Sequence, residues 1–331
     1  MAYPINSGGA YNGINPAYSG TFIPELWSKK LNVKFYKNTM LSEITNTDYE
    51  GELKNQGDTI KIRTIPNVTI RDYEIGQTLN YEVPTPNTID MQIDKGKYFG
   101  VQVNDVIAHQ SDLGLMDMFT EDASKQLKIQ IENDVFLSSF ITEGPHASNV
   151  GATAGAISGG YNLGTKAAAI DSSTADNVLN TILSMSSVLD EQNVPEEGRW
   201  LIMTPYDRHV LMKSSIAQAY FSGDSSSTIR TGKIGMLDRF TIYISNLLPR
   251  GDADKAWVGG HDDPAAGAAD VGAVKRRMMV AGTRHAVSFA QQITKTEPLR
   301  NQTDFGDIVR GLSIFGHKVI KSEAMTYAVL A

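Results

Sequence analysis

The sequence predicts an α+β fold in which a long extended β-loop leads directly into one long amphipathic helix. Residues 48–105 contain two stretches of alternating apolar and charged residues, which is the period of half-buried strands. Apolar residues recur at spacings of three and four from Asp112 to Ile141, which is the period of an amphipathic helix. Strand-like and helix-like segments then alternate over residues 172–290, which favours a smaller α/β layer.

The two strands of the β-loop carry opposite charges on their polar faces. Ile60 and Ile62 share one face of the first strand, and its basic face carries Lys61 and Arg63. The second strand, residues 89–94, has apolar residues on one face and two acidic residues on the other. If the strands pair antiparallel, we expect the basic pair to face this acidic pair, each exposed pair contributing ~0.2–1 kcal/mol. The acidic residues are Asp90 and Asp94.

The tip of the β-loop is rich in turn signals and charge. Pro66, Gly76 and Pro84 interrupt it, and an isolated two-stranded hairpin is only marginally stable in water. The loop therefore needs a support, and two alternatives stay open: the loop folds back onto its own domain, or it lies on another copy of the chain. The charged residues of the tip are Arg71, Asp72 and Glu74.

Composition excludes several classes of protein. The chain has 331 residues, 41% of them hydrophobic and 20% charged, which is typical of a globular protein. It contains no cysteine, which excludes disulfides, thiolate metal sites and cysteine nucleophiles. The net charge of −7 argues against a surface that grips nucleic acid everywhere, but permits a local basic face. We expect neither a membrane-spanning helix nor a secretory signal at the N-terminus.

One stripe of the long helix is apolar. The helix is expected at about residues 112–142, a length of about 45 Å at ~1.5 Å per residue. Charged residues, including Glu132 and Asp134, fall largely outside the stripe. A shorter helix is predicted at residues 25–35. The stripe consists of Met116, Phe119, Ala123, Leu127, Ile131 and Val135.

The α/β portion has its own boundary signals. A helix is predicted at residues 176–193, and strands at residues 200–203, 240–244 and 277–280. Thr204 followed by Pro205 is the signature of a helix N-cap and first turn. The last segment, residues 305–331, is predicted to form two strands that turn near Gly316 and return beside the long helix.

This order of elements resembles the major capsid protein of tailed bacteriophages, with its Hong Kong 97-type fold. Local similarity lies in GRWLIMTP at residues 198–205, GMLDRFTIYISNLLP at 235–249 and RGLSIFGHKVI at 310–320. The resemblance covers nearly the whole chain. It implies an N-terminal arm with a short helix, an extended β-loop, a peripheral β domain with the long spine helix, and an apical α/β domain. The implied bounds are 1–47, 48–105, 106–171 with 291–331, and 172–290.

The resemblance implies a structural shell protein. In that family, hexamers and pentamers of one chain form an icosahedral head around double-stranded DNA, and each β-loop lies across a neighbouring subunit. The implied partners are further copies, the packaged DNA, the portal protein, and scaffolding or decoration proteins. The implied location is the virion, after assembly in the host cytoplasm. Carried onto this chain, the charged β-loop residues become intersubunit contacts: Lys61, Arg63, Arg71, Asp72, Glu74, Asp90 and Asp94.

Enzyme and ligand motifs are absent or incomplete, so we predict no catalytic, metal or cofactor site. Gly232–Lys233 lacks both the earlier glycine and the following hydroxyl residue of a phosphate loop. His261–Asp262–Asp263 is adjacent in sequence, and consecutive loop residues seldom converge on one ion. The basic run Lys275–Arg277, near Arg284, is compatible with nucleic acid, but a charged interface or a solvated strand end is favoured.

Two alternatives to a phage capsid protein remain. An encapsulin-type compartment uses the same fold to enclose enzyme cargo. A soluble α/β enzyme or binding protein would need its β-loop folded onto its own domain and a pocket collecting side chains from distant segments.

Overall fold

The structure of the chain is a computed structural model. It describes residues 37, 39–48, 59–66, 68–105, 115–213, 236–251, 256–260, 276–301 and 305–331, without the side chains of residues 292–294. The predicted helix at residues 25–35 and the start of the long helix at Asp112 lie outside these ranges. So do the Gly232–Lys233 and His261–Asp263 motifs.

The described residues include four α-helices and eleven strands. The helices are α1 Leu41–Ile44, α2 Leu115–Leu137, α3 Ala175–Glu191 and α4 Pro205–Leu211. A π-helical turn, Ser138–Glu143, extends α2, and short 3-10 turns form at Ala147–Asn149 and Ser322–Ala324. The strands are β1 Thr59–Arg63, β2 Thr88–Gln92, β3 Lys95–Asn104, β4 Arg199–Met203, β5 Met236–Leu237, β6 Phe240–Ile244, β7 Arg250–Gly251, β8 Arg276–Thr283, β9 Val287–Arg300, β10 Gly306–Val319 and β11 Met325–Leu330.

The strands form three sheets. β1 and β2 pair as an antiparallel hairpin, and β3, β10 and β9 form an antiparallel three-stranded sheet in that order. The third sheet runs β11–β8–β4–β6–β5, with β7 also paired to β8, and only its β4–β6 pair is parallel. The predicted strands at residues 200–203, 240–244 and 277–280 are therefore confirmed, as members of one sheet.

The largest hydrophobic core lies between the six-stranded sheet and its helices. Every residue of β4 is buried, and α3 packs against β11 and α4. The predicted start of α4 is confirmed, because Pro205 is its first residue and the Thr204 hydroxyl accepts the backbone N–H of Asp207 at 3.3 Å. The inward residues of α3 are Val178, Ile182, Met185, Val188 and Leu189.

The long helix α2 lies across β3 and β10 of the three-stranded sheet. Ile131 and Val135 pack on Phe315 of β10, which confirms the C-terminal half of the predicted stripe. Phe119 in the N-terminal half is 42% exposed, and Glu132, expected outside the buried stripe, is only 1% exposed. The burial of Glu132 corrects the sequence prediction.

The predicted turn at Gly316 is wrong. β10 runs straight through Gly316, and the chain turns at the 3-10 turn Ser322–Ala324. The last strand, β11, then pairs with β8 in the six-stranded sheet rather than returning beside α2. The boundary predicted at residue 290 falls inside β9, and the division into peripheral and apical domains stays a prediction.

Candidate intersubunit interface

The hairpin base, β1 with β2, has the predicted alternation and most of the predicted register. Ile60, Ile62 and Met91 are buried, and the residues between them are exposed. Lys61 lies directly opposite Asp90, as expected for strands of opposite charge. The second predicted pair is wrong.

The register explains the error. Thr59 faces Gln92 and Arg63 faces Thr88, so Asp94 lies beyond the end of β2, in the corner that leads into β3. The sequence pattern identified the outward face of each strand, but it did not determine which residues of the two strands are opposite. An antiparallel register depends on the turn that joins the strands, and here the turn is far away.

The apolar face of the hairpin base packs on the same chain. Ile60, Ile62, Met91 and Ile93 form a small core with Ala290 of β9. Ile89, Ile314 and Ile320 pack at its edge. The alternative in which the β-loop folds onto its own domain is therefore correct for its base.

The tip of the β-loop, residues 64–87, projects without regular secondary structure in the part of it that is described, which omits Asn67. Its two legs are joined near the base by the backbone N–H of Thr64, which donates to the carbonyl of Asn87 at 2.8 Å. The tip reverses at Glu74–Gln77, where the Gln77 N–H donates to the Glu74 carbonyl at 3.1 Å. Gly76 has φ 91° at the third position of this turn, which is the type II position that favours glycine.

Large apolar side chains of the tip are exposed to solvent. Ile75 is 98% exposed and Ile65 is 95% exposed. Exposed apolar surface of this extent on a folded protein marks an interaction site, and these side chains are concentrated in one segment that the described residues of the chain leave uncovered. The exposed set is Ile65, Val68, Ile70, Tyr73, Ile75, Leu79, Tyr81 and Val83.

The charged residues predicted for the tip lie between exposed apolar residues along the chain, from Ile70 to Ile75. Arg71 lies 3.9 Å from Glu82, a residue that the sequence reasoning did not select. The Thr69 backbone N–H donates to Glu82 at 2.9 Å. This bond, with a smaller effect of Arg71, lowers the pKa of Glu82. Asp72 and Glu74 are exposed beside the turn.

Sequence reasoning missed the apolar residues of the tip because it weighed only the turn signals and charges there, although Leu79, Tyr81 and Val83 alternate with polar residues. A different signal was present. Large aliphatic and aromatic residues recur through a segment that contains Pro66, Pro84 and Pro86. Proline makes regular pairing unfavourable, so such residues have no strand partner to cover them.

An elbow connects the hairpin base to the three-stranded sheet. Lys95, the first residue of β3, places its ammonium group 3.1 Å from Nε2 of His317. Burial, with a further effect of Lys95, lowers the pKa of His317 to about 4. The imidazole is therefore neutral near pH 7, and its Nε2 accepts a hydrogen bond from Lys95.

The basic residues considered for nucleic acid are engaged within the chain. Arg277 forms an ion pair with buried Asp207 at 3.4 Å, and its guanidinium lies 4.2 Å from the ring centroid of Tyr206. Arg276 donates to the carbonyl of Lys166 at 3.2 Å. Arg284 pairs with Glu43. Lys275 lies outside the described residues.

The described ranges show neither a cluster of metal ligands nor a membrane-spanning helix. No group of three or more acidic or histidine side chains gathers there in a way that suits a metal ion. None of the helices described combines the length and the apolar character needed to cross a membrane.

Comparison with known proteins defines the class. A family model described as phage capsid protein matches residues 86–327. A solved structure of Mycobacterium phage Che8 superposes with TM-score 0.71 at 25% identity, covering 93% of this chain and 97% of that chain. The capsid of cyanophage P-SCSP1u gives 0.68 at 15% identity, with 94% and 93% covered. The Cyanophage Pam1 capsid asymmetric unit gives 0.66 at 12%, with 96% and 99% covered. No curated protein sequence matches the chain.

The family match and the shared fold define a structural capsid protein. The chain belongs to the phage capsid protein family, and it is a major capsid protein of a tailed phage, located in the virion capsid. The encapsulin alternative is not favoured, because the structures described above are phage capsids.

Proposed function

We propose that copies of this chain form the hexamers and pentamers of an icosahedral head that encloses double-stranded DNA, and that each copy lays its β-loop tip on a neighbouring copy. The observation that carries this proposal is the uncovered apolar surface of residues 64–87 on a base that is anchored in its own chain. A β-loop that is anchored at its base and uncovered at its tip suits a contact between subunits.

The geometry supports a head-to-tail contact. The hairpin base is packed within its own chain while the tip is exposed, so the apolar side chains of the tip meet a different surface on the neighbour. Such a heterologous contact closes into rings when the rotation between subunits permits. The charged residues Lys61, Arg63, Asp90 and Asp94 lie at or near the base, and Arg71, Asp72 and Glu74 lie near the end of the tip. We assign the first group to register between subunits and the second to the polar rim of the apolar contact.

The remaining parts of the proposal follow from the capsid role. Residues 172–290 form the apical part at the centre of each capsomer, and residues 106–171 with 291–331 form the peripheral part between capsomers. The portal protein and scaffolding or decoration proteins are the other partners, and assembly takes place in the host cytoplasm. The chain acts as a building block, without catalysis, cofactor or membrane.

A triple variant of the tip tests the proposal. Ile70→Ser, Ile75→Ser and Tyr81→Ser together remove apolar surface that is exposed in the single chain, so the folded chain should keep its thermal midpoint. Electron microscopy of the purified protein should show shells for the parent chain and their loss for the variant. Ile157→Ser, at an exposed site outside the β-loop, is the matched control and should assemble normally. Normal shells from the triple variant would overturn the proposal.

A further inference from the structure

The segment of residues 39–48, which we name the strap, lies on the core just ahead of the β-loop. Its part from Glu43 onward, which we call its second half, is tied to the turn and strand that follow β8. Asn46 donates its N–H to the carbonyl of Val287 at 2.9 Å and accepts the N–H of Phe289 at 2.9 Å. Arg284 donates to the carbonyl of Glu43 at 2.8 Å. These bonds do not depend on a titratable acceptor side chain.

The first half of the strap is held by one side chain of the long helix. Glu132 of α2 accepts the backbone N–H groups of Met40 and Leu41, at 2.7 Å and 3.0 Å, and both bonds go to the same oxygen, Oε2. Met40 is the N-cap of α1 and has no side-chain cap of its own. Glu132 therefore satisfies the backbone groups that open α1, from a distant part of the chain.

The second oxygen of Glu132 is buried without a hydrogen-bond partner among the described residues. A cavity of about 450 Å³ lies beside the Glu132 residue, bounded by the strap, α2, β9 and β10. The cavity is large enough for several water molecules, so a change in the strap can hydrate Glu132 without unfolding α2. Several of the residues that bound the cavity carry hydroxyl groups: Thr39, Ser42, Thr45, Thr47, Ser124 and Thr296.

The charges around the cavity do not neutralise Glu132. Lys128 of α2 and Lys295 of β9 line the cavity, but Lys295 pairs with Glu297. On the strap, Glu43 pairs with Arg284. No ion pair to Glu132 forms within the described ranges. β10 contributes Gly311 and Leu312 to the lining and no charge.

The burial of Glu132 has a direct electrostatic result. Burial raises its pKa to about 7, against the N–H groups of Met40 and Leu41, which lower it. When the strap opens and water reaches the side chain, its pKa returns toward the ordinary 4.5. The closed strap therefore binds a proton more tightly than the open strap.

We propose that Glu132 is a proton-controlled clasp: its neutral form keeps the first half of the strap closed on α2, and its ionisation favours opening. Only ten residues separate Asp48, the end of the strap, from Thr59, the start of β1. The clasp thus places a proton-dependent contact next to the segment that leads into the β-loop. The second half of the strap keeps its backbone bonds to β9 in both states.

The effect has a definite sign and size. Between pH 6 and pH 8 the equilibrium constant for opening rises about tenfold, because the closed strap loses its proton in this range and the open strap is already ionised. Glu132→Gln keeps a carbonyl oxygen for the two N–H groups but has no charge to lose. Its strap opens to the same extent at pH 6 and pH 8.

Hydrogen exchange at the Met40 and Leu41 amides of the full chain tests the clasp. Protection factors, which already correct for the intrinsic effect of pH, should fall about tenfold from pH 6 to pH 8 in the parent chain. They should stay constant in Glu132→Gln. Glu43→Gln, which removes an exposed carboxylate from the same strap, is the matched control and should behave like the parent chain.

Two outcomes would overturn the proposal. One is protection in the parent chain that does not change with pH, and the other is an equal change in Glu132→Gln. If Glu132→Gln does not fold, a carbon NMR titration of the Glu132 carboxyl group in the parent chain decides instead. A midpoint near 7 supports the clasp, and a midpoint below 5 refutes it. None of these results depends on whether the chain assembles. The clasp proposal can therefore be refuted without refuting the proposed assembly, and the reverse also holds.

Discussion

Gly316 of β10 packs directly against the backbone of Gln92 at the end of β2. A β-carbon built on Gly316 would lie less than 3.0 Å from the Gln92 carbonyl oxygen and 3.0 Å from the Cα of Ile93. This close approach places the hairpin base on the three-stranded sheet, and it explains a glycine inside a strand where no turn occurs. The glycine is a packing site for a crossing backbone.

Gly316→Ala should therefore destabilise the chain. The added methyl group meets backbone atoms, which cannot move aside as a flexible side chain can, and we expect a loss of ~1–3 kcal/mol in the free energy of unfolding. Denaturant titration measures the loss. Gly100→Ala on neighbouring β3 is the control, because a β-carbon at Gly100 has no atom within 4 Å, and it should change stability by less than ~0.5 kcal/mol. Equal effects of the two substitutions would contradict this account of Gly316.

Met91 tests the support of the β-loop by its own chain. Its side chain is completely buried in the small core with Ala290, so Met91→Ala should cost ~2–5 kcal/mol in stability. Ile75→Ala, at the exposed end of the same β-loop, should leave the stability of the single chain almost unchanged. The comparison is made by thermal unfolding of unassembled protein. A small effect of Met91→Ala would mean that the hairpin base is not anchored in this way.

Reversing the charge of the basic face tests its role in assembly. Lys61→Glu with Arg63→Glu changes two exposed residues of β1, and we expect subunit folding to be nearly normal but shells to form poorly or dissociate more easily. Light scattering and electron microscopy measure assembly, and circular dichroism measures folding.

The register supplies a control for this experiment. Lys61 faces Asp90, so exchanging the two residues, Lys61→Asp with Asp90→Lys, keeps their cross-strand attraction and moves only the positions of the charges. If assembly needs a positive charge at the position of Lys61, the variant with the exchanged residues should also assemble poorly. Normal, equally stable shells from the Lys61→Glu, Arg63→Glu variant would rule out a contact by this face.

The pH dependence of stability should reflect two buried groups that act in opposite directions. The pKa of His317 is lowered to about 4 in the folded chain from an ordinary 6.5. Its contribution is present above pH 6.5 and is lost as the pH falls toward 4, a change of about 3 kcal/mol. The pKa of Glu132 is raised to about 7 from 4.5. Its contribution is present below pH 4.5 and is lost as the pH rises toward 7, again by about 3 kcal/mol.

Single substitutions should separate the two contributions. In the parent chain they largely cancel between pH 4.5 and pH 6.5, so stability should change little there. Glu132→Gln should reveal a loss of stability on acidification, and His317→Gln should reveal a gain. Urea titration at several pH values measures both slopes. If the free energy of unfolding changed with pH in the same direction in both variants, His317 and Glu132 would not act in opposite directions.

The predictions from sequence succeeded where a pattern is local. The alternation of Ile60 and Ile62 with charged residues identified β1, and Thr204–Pro205 identified the start of α4, because one strand or one helix end is specified by adjacent residues. The order of elements also identified the capsid class, which the match over residues 86–327 confirms.

The same reasoning failed where two distant segments meet. It placed Asp94 across from the basic face of β1, it placed a turn at Gly316, and it treated Glu132 as a residue outside the buried stripe. In each case the correct assignment depends on a second segment: the register of β1 with β2, the crossing of Gln92 over β10, and the strap that lies on α2. The apolar surface of the tip was also missed, because its exposure follows from the absence of a neighbour in the described chain.

The sequence by itself determined the kinds of elements, their order, and the family of shell proteins to which the chain belongs. The physical reason is that period, capping residues and turn residues act over a few positions along the chain. Tertiary structure alone decided that the β-loop is anchored at its base and uncovered at its tip, and that a glycine and a buried carboxylate hold the crossing segments. Those properties depend on which distant segments each residue contacts after folding and on whether its side chain is exposed to solvent.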